Sequence, residues 1–139
     1  MATLRIAADT TQFRHASAWL SETGAALGVP PEGLQRLDLC LNEALANVVG
    51  HGRCDSPIEL RLESLDDAQG PEARVTVIDQ GPGFDATQAP GAARPASLAE
   101  AEPGGLGLLM IRSFSDTLDY RRLDGRNHLS FGVRWAPAG

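Results

Sequence analysis

Lysine is absent from this chain of 139 residues, and all 12 of its strongly basic residues are arginine. That absence excludes several classes of enzyme. A P-loop nucleotide-binding protein requires the lysine of its phosphate loop, and an ordinary protein kinase requires one on its third strand. Chemistry that passes through a Schiff base, including that of pyridoxal phosphate, requires a lysine amine as well.

Cysteine and long apolar runs are also scarce. The two cysteines, Cys40 and Cys54, cannot make a disulfide framework. With His51 they would offer three zinc ligands, but the spacing fits no common zinc site and no fourth ligand is evident, so ordinary intracellular thiols are favoured. No segment is apolar for long enough to span a membrane, and the N-terminus lacks the apolar core of a signal peptide. We therefore predict a cytoplasmic protein with no membrane contact.

The charge balance is acidic, with a formal net charge of −6. A nucleic-acid partner is not expected, because phosphate contacts require a basic face. Hydrophobic residues make up 42% of the chain and charged residues 22%, which is typical of a protein with a packed core. The length predicts one domain over residues 1–139.

Local patterns predict five strands and three helices. The first three elements in chain order are a strand over Leu4–Ala8, a helix from a cap at Asp9 or Thr10 to about Leu27, and a helix from Pro31 to about Val49. Two strands follow over Ile58–Leu65 and Ala73–Ile78, joined by a polar turn. The last three elements are a helix over Leu106–Phe114 and strands over Thr117–Leu123 and Leu129–Trp135, which are joined by a turn at Asp124–Gly125. Because the strands pair as hairpins, the predicted fold is an α/β (α+β) two-layer sandwich. Its sheet is mainly antiparallel, with the helices on one face.

Apolar spacing indicates which faces point inward. In the strand that begins at Ile58, apolar residues alternate with charged ones. The first helix has an expected inward face of Phe13, Ala16, Trp19 or Leu20, and Leu27. The second helix has a stripe made of Leu34, Leu37, Leu41, Leu45 and Val48.

Three polar residues of the second helix, Glu43, Asn47 and His51, are spaced i, i+4, i+8 and fall roughly opposite the leucine stripe. Asparagine is a poor helix former, so the position of Asn47 in the middle of a helix indicates a role other than helix formation. A carboxylate one turn from an amide oxygen can serve as a general base beside a Mg²⁺ ligand. A solvated polar face is the alternative interpretation.

Two glycine motifs add to this pattern. Asp79 ends a strand just before Gly81 and Gly83, where its carboxylate could accept a hydrogen bond from an amino group such as adenine N6; a plain strand-ending turn is the alternative. Gly104-Gly105-Leu106-Gly107 opens the third helix and could bind an anion through free backbone N–H groups, or act as a hinge. The segment between them, about 84–103, is rich in Gly, Pro and Ala and is expected to be a lid.

Three segments resemble the conserved boxes of the GHKL (Bergerat-fold) ATPases. They are NEALANVVGH at 42–51, VIDQGPGF at 77–84 and GGLGLLMIRSFSD at 104–116, similar to the N, G1 and G2 boxes. Within that superfamily the chain resembles the small anti-sigma-factor serine/threonine kinases, over nearly its whole length. It departs from them in an Ala- and Pro-rich lid and at Asn127, where relatives often carry threonine near the adenine.

The resemblance implies a role for each matching residue. Asn47 would be the Mg²⁺ ligand, and Glu43 the general base that takes the proton of a substrate hydroxyl. Asp79 would bind adenine N6. The remaining nucleotide contacts implied by the resemblance are Gly81 and Gly83 beside the base, Gly105, Leu106 and Gly107 around the phosphates, and His51 and Arg112. The implied cofactors are ATP and Mg²⁺.

The resemblance also implies partners. The substrate would be a STAS-domain anti-anti-sigma factor, and the kinase would sequester a sigma factor or a similar regulator. Two other functions stay open: the catalytic domain of a histidine kinase, and a non-catalytic nucleotide-dependent binding module. Relatives are often dimers, which leaves a homodimer open.

Overall fold

One antiparallel sheet of five strands organises the part of the chain that the computed structural model describes, residues 1–51, 56–81 and 111–136. The strands are β1 (Ala2–Ile6), β2 (Ile58–Asp67), β3 (Gly70–Asp79), β4 (Thr117–Leu123) and β5 (Arg126–Arg134), in the order β1-β2-β3-β5-β4. The helices are α1 (Phe13–Ala26), preceded by a 3-10 turn at Thr10–Gln12, α2 (Pro31–His51) and α3, described over 111–114. The predicted two-layer α+β architecture is confirmed.

Apolar and charged side chains alternate along β2, which places them on opposite faces of the sheet. Ile58, Leu60 and Leu62 are fully buried, as their spacing predicts, and the charged residues between them are only half-buried. Leu60 pairs with Leu4 on one side and Val77 on the other, so apolar side chains line the same face across three strands. The helices pack on this face, where α1 and α2 add a row of buried side chains: Ala16, Leu20, Leu37, Cys40, Leu41, Ala44 and Leu45.

Helix α1 buries a slightly different face from the one predicted. Ala16 and Leu20 are buried, and Phe13 and Trp19 pack partly against the core. Leu27, expected to face inward, is 38% exposed. The helix ends at Ala26, and Gly28 adopts a φ of +87° just beyond, so Leu27 lies where the chain already turns away from the core. Gly24 occupies the last buried position instead.

Strand boundaries shift by a few residues from those predicted. β1 covers Ala2–Ile6 rather than Leu4–Ala8, because Asp9 N–H donates to Ala7 O and its side chain caps the 3-10 turn. Pro57, which has no N–H, precedes the first paired residue of β2. The hairpin between β2 and β3 is longer than expected, with pairing that continues to Asp67 and Gly70.

The turn between β4 and β5 falls at Asp124–Gly125, as predicted. Both residues have positive φ, +54° and +74°, the combination that a two-residue hairpin turn requires. β5 begins directly after it at Arg126, three residues earlier than predicted.

The direction of α2 determines which of its residues reach which end of the sheet. Gly33 lies against Val133, since a Cβ built on it would be 3.5 Å from the Val133 side chain. From Gly33 to Asn47 the helix rises about 21 Å, and from Val133 back to Asn127 strand β5 covers about 20 Å. The buried leucines keep α2 over the sheet, so Asn47 lies toward the end where β5 begins and β3 finishes.

Among the described residues, no helix combines the length and the hydropathy needed to cross a membrane.

Candidate functional site

Asp79 is the last residue of β3 and points to the helix-covered face, on the same side as Val77 and Val75. Its Oδ1 atom accepts two hydrogen bonds, from Gly81 N at 2.8 Å and from Asn127 Nδ2 at 3.0 Å. No described residue donates to Oδ2. One carboxylate oxygen is therefore held by two N–H groups, and the other has no donor among residues 1–51, 56–81 and 111–136.

Asn127 lies opposite Asp79 in the register of β3 and β5 and is only 6% exposed. Its Oδ1 accepts from Tyr120 Oη at 2.6 Å and from Arg122 Nη1 at 2.9 Å. Arg122 Nη1 also donates to Gly81 O at 3.2 Å. Three adjacent strands thus contribute to one polar network around the carboxylate.

Glu43 and Asn47 lie at the flank of α2, which corrects the expectation that they oppose the leucine stripe. Both are half-buried, and Asn47 Nδ2 is buried with no hydrogen-bond partner among the described residues. The buried face of α2 is wider than the leucines alone, because Cys40 and Ala44 are also buried. Asn47 therefore borders the core rather than facing solvent.

Arg36, Cys40, Glu43 and Asn47 follow one another at intervals of four, three and four residues, which places them in one row along α2. The first two contact the described end of α3: Arg36 Nη1 donates to Phe114 O at 3.4 Å, and Cys40 Sγ lies 3.8 Å from Ile111 O. Burial raises the pKa of the Cys40 thiol to about 12, and the neighbouring Glu43 carboxylate adds to the rise. The polar row thus starts beside α3 and runs toward the end of the sheet that carries Asp79.

Of the other predicted site residues, some lie within the described part of the chain and the rest lie outside it. Gly81 is buried, and its N–H donates to Asp79 Oδ1. Arg112 is exposed on the described part of α3. The residues that lie outside the described part are Gly83, the lid at 84–103, Gly105, Leu106, Gly107 and the side chain of His51.

Sequence reasoning missed Tyr120 and Arg122. A signal for Arg122 was present, since a two-residue turn at Asp124–Gly125 pairs Leu123 with Arg126 and therefore Arg122 with Asn127. The link to Asp79 depends on the pairing of β3 with β5, which no local pattern reveals.

The family model of the histidine kinase-like ATPase domain matches residues 6–133, and the chain belongs to this family. The predicted resemblance to the GHKL ATPases is confirmed, and a relative within the family is a serine/threonine-protein kinase. ATP is accordingly the nucleotide that the domain implies.

One relative and one solved structure are similar to this chain. It is 37% identical to the serine/threonine-protein kinase BtrW of Bordetella bronchiseptica over 102 residues, which cover 73% of this chain and 70% of BtrW. It is also similar to the solved RsbU and RsbW domains of Rv1364c from Mycobacterium tuberculosis, with a TM-score of 0.66 and 19% identity over 96% of this chain. The chain spans 32% of that solved chain, and the likeness shows the fold. The relationship to BtrW supports a kinase role.

Proposed function

We propose that this chain is an ATP-dependent serine/threonine-protein kinase of a partner-switching system. Its substrate would be a hydroxyl of a STAS-domain anti-anti-sigma factor, and its second partner a sigma factor or similar regulator that it sequesters. The observation that carries the proposal is the placement of Glu43 and Asn47 on the flank of α2, toward the sheet end that carries the open Asp79 oxygen. The sequestration is supported by the family resemblance alone.

Asp79 is proposed to bind the adenine. Its Oδ2 is an acceptor, and the 6-amino group of adenine is a donor of the right kind. Gly81, whose N–H is already bonded to Oδ1, carries no side chain that could obstruct a flat base. Gly83 is proposed to share that role.

Asn47 is proposed to hold Mg²⁺ through its side-chain oxygen. The residue fits this role, because its amide nitrogen is buried with no partner among the described residues, so the amide can turn without breaking a hydrogen bond. An amide oxygen is a suitable ligand for a hard cation that keeps most of its waters. When bound, Mg²⁺ would offset phosphate charge in a chain that has no lysine for the purpose.

Glu43 is proposed as the general base. It lies one turn before Asn47 on the same row, half-buried, where its carboxylate can reach a hydroxyl presented from outside. It would take the hydroxyl proton as the oxygen bonds to the γ-phosphorus and the bond to ADP breaks. The remaining proposed nucleotide contacts are His51, Gly105, Leu106, Gly107 and Arg112.

The alternatives to a serine/threonine kinase are a histidine kinase and a non-catalytic binding module. A histidine kinase phosphorylates an imidazole, which is already a nucleophile and does not need the Glu43 carboxylate. A non-catalytic binding module would need the nucleotide and no base. The pairing of Glu43 with Asn47 favours a hydroxyl acceptor, as does the relationship to a protein named as a serine/threonine kinase.

The test is phosphoryl transfer from labelled ATP to a purified STAS-domain protein of the source organism. Glu43→Ala should leave Mg·ATP affinity nearly unchanged and slow transfer roughly 10²–10⁴-fold, the range of a lost general base. Asn47→Ala should weaken nucleotide binding and transfer together. Both quantities are measured, binding by calorimetry and transfer by the label.

The matched control is Glu32→Ala, an exposed carboxylate in the first turn of the same helix, whose removal should change neither quantity. Transfer by Glu43→Ala at the wild-type rate would remove the base assignment. Acid separates the two kinase classes, since a phosphate ester survives acid and a phosphohistidine does not. If the wild type labels no STAS-domain protein, the binding-module interpretation replaces the kinase.

The proposal takes residues 1–139 as one domain, with a lid over 84–103, acting in the cytoplasm. The family resemblance supports a homodimer, which a solution measurement of mass tests.

A further inference from the structure

Asn127 uses both ends of its amide within the protein. The oxygen accepts from Tyr120 and Arg122, and the nitrogen donates to Asp79 Oδ1 at 3.0 Å and Gly81 O at 3.4 Å. An asparagine side chain has two acceptor positions and two donor hydrogens, and these four contacts engage all of them. Asn127 therefore has no hydrogen-bonding capacity left for a bound base.

We infer that Tyr120 and Arg122 are positioning residues that set the selectivity of Asp79 for a 6-aminopurine, acting through Asn127. The inference rests on the proposed function, in which Asp79 receives the base. It assigns a task to two side chains of β4.

The two donors determine which way the Asn127 amide faces. Tyr120 Oη lies 2.6 Å and Arg122 Nη1 2.9 Å from the amide oxygen. Turning the amide over would set its NH₂ group against the guanidinium and its oxygen against the Asp79 carboxylate, two repulsive contacts in place of attractive ones. With the donors present, only one orientation presents N–H to Asp79.

That orientation in turn fixes the carboxylate. Asp79 Oδ1 receives the Asn127 N–H and the Gly81 N–H, so the carboxylate is held from two directions and Oδ2 keeps one position. An acceptor oxygen held in place favours a ligand with a donor at the facing atom, and it disfavours one without. The selectivity of Oδ2 for an amino group thus depends on donors two side chains away.

Arg122 has a second contact that strengthens this arrangement. The same Nη1 atom donates to Gly81 O at 3.2 Å, while the N–H of Gly81 bonds Asp79. Nη2 reaches Gly125 O at 3.4 Å, in the turn of its own hairpin. Arg122 thereby ties the turn after β3 to the hairpin of β4 and β5.

The experiment measures the affinities of ATP and of purine ribonucleoside triphosphate, which lacks the 6-amino group, for four proteins. These are the wild type, Tyr120→Phe, Arg122→Met and the control Arg121→Met. Arg121 is the adjacent arginine on the other face of β4, paired with Asp119 at 3.1 Å and 70% exposed. Thermal unfolding of each variant confirms that it is folded.

The wild type is expected to prefer ATP to the analogue. Tyr120→Phe and Arg122→Met should each lower ATP affinity roughly three- to tenfold, the effect of one lost hydrogen bond, and leave the analogue's affinity unchanged. Arg121→Met should match the wild type for both ligands. A merely structural role would weaken both ligands equally, and that result overturns the inference.

The two proposals fail in different ways. If the wild type prefers ATP and both variants keep the full preference, only the role of Tyr120 and Arg122 is wrong. If the wild type binds the two nucleotides equally, the assignment of Asp79 to the base is wrong, and this inference falls with it. Tyr120→Phe removes a single oxygen, so it keeps the test decisive even if Arg122→Met does not fold.

Discussion

The two carboxylate oxygens of Asp79 differ in their contacts with the described residues. Its Oδ1 closes the turn after β3 by accepting from Gly81 N, and none of the described residues donates to its Oδ2. A substitution can therefore test the role of Oδ2 separately from that of Oδ1, because asparagine keeps one acceptor oxygen and replaces the other with a donor.

Asp79→Asn should weaken ATP binding by about 1.5–3 kcal/mol, the value of a hydrogen bond to a charged group. The asparagine oxygen can still accept from Gly81 and Asn127, so the fold should persist. Titration calorimetry measures the affinity. Asp119→Asn, an exposed acid of β4, is the control and should not change it. An unchanged ATP affinity in Asp79→Asn would contradict the adenine assignment.

Cys40 offers a second prediction, concerning pH. Burial raises the pKa of its thiol from 9.0 to about 12, so the folded state keeps the proton that the unfolded state loses first. The stability contributed by the neutral thiol is complete below pH 9 and is lost as pH rises from 9 to 12. The chain has no lysine and only one tyrosine, so few other groups titrate in that window.

Urea unfolding of the wild type and of Cys40→Ala, both in a Cys54→Ser background, measures this effect. The stability difference between them should shrink by about 1.4 kcal/mol per pH unit above pH 9. A difference that stays constant across the window would show that the thiol titrates normally in the folded state.

At the scale of the element, β5 passes a buried carboxylate at Gly132. Glu72 is 1% exposed, and it pairs with Arg74 and Arg134 at 2.9 Å each and accepts from Thr117 at 2.9 Å. A Cβ on Gly132 would lie 2.5 Å from Thr117 Oγ1 and closer still to Glu72 Oε2. The strand therefore depends on glycine for space rather than for conformation.

Gly132→Ala should lower the free energy of unfolding by about 1–3 kcal/mol, the usual cost of overpacking, because it pushes Glu72 away from its arginines. Chemical denaturation measures the loss. Gly50→Ala is the matched control, since no atom of the described residues lies within 4 Å of a Cβ built there and alanine suits a helix better than glycine. Equal stability in the two variants would show that Glu72 moves aside without cost.

At the scale of the whole molecule, the candidate site draws on one helix and three strands of a single sheet. Binding at such a site should stabilise the described fold as a unit, since opening any of these elements would release the ligand. The effect of nucleotide on unfolding thus reports on the integrity of the site.

Mg·ATP at 100 times its dissociation constant should raise the free energy of unfolding by about 2.7 kcal/mol. One cooperative transition is expected if residues 1–139 form one domain. Scanning calorimetry with and without nucleotide measures both, with Mg²⁺ alone as the control. Asp79→Asn should lose most of the shift at the same concentration. Two separate transitions, or no shift in the wild type, would contradict the expectation.

Strong local patterns were sufficient for most elements of the fold. The alternation of Ile58, Leu60 and Leu62 predicts a half-buried strand, and the pair Asp124–Gly125 predicts a turn that only residues tolerant of positive φ can make. Element ends were less predictable. β1 ends early at Ile6, and Leu27 is exposed, because each is decided by capping and turn contacts with neighbouring residues rather than by periodicity.

The same contrast between local patterns and tertiary contacts applies to the candidate site. The sequence predicts which residues could carry the chemistry, because the motifs around Glu43, Asn47 and Asp79 are contiguous and need only local spacing. It could not show that Asn47 borders the core, since the burial of Cys40 and Ala44 depends on what packs against α2.

The neighbours of Asp79 depend on the assembled sheet rather than on any local pattern. Asn127 is 48 residues further along the chain, and it meets the carboxylate because β5 is inserted in the sheet between β3 and β4. Tyr120 and Arg122 reach it by the alternation of β4 across the same hairpin. Sequence patterns specify the faces of strands, whereas the order of strands depends on which arrangement buries those faces together, so the neighbours of a residue at a strand end emerge only from the assembled sheet.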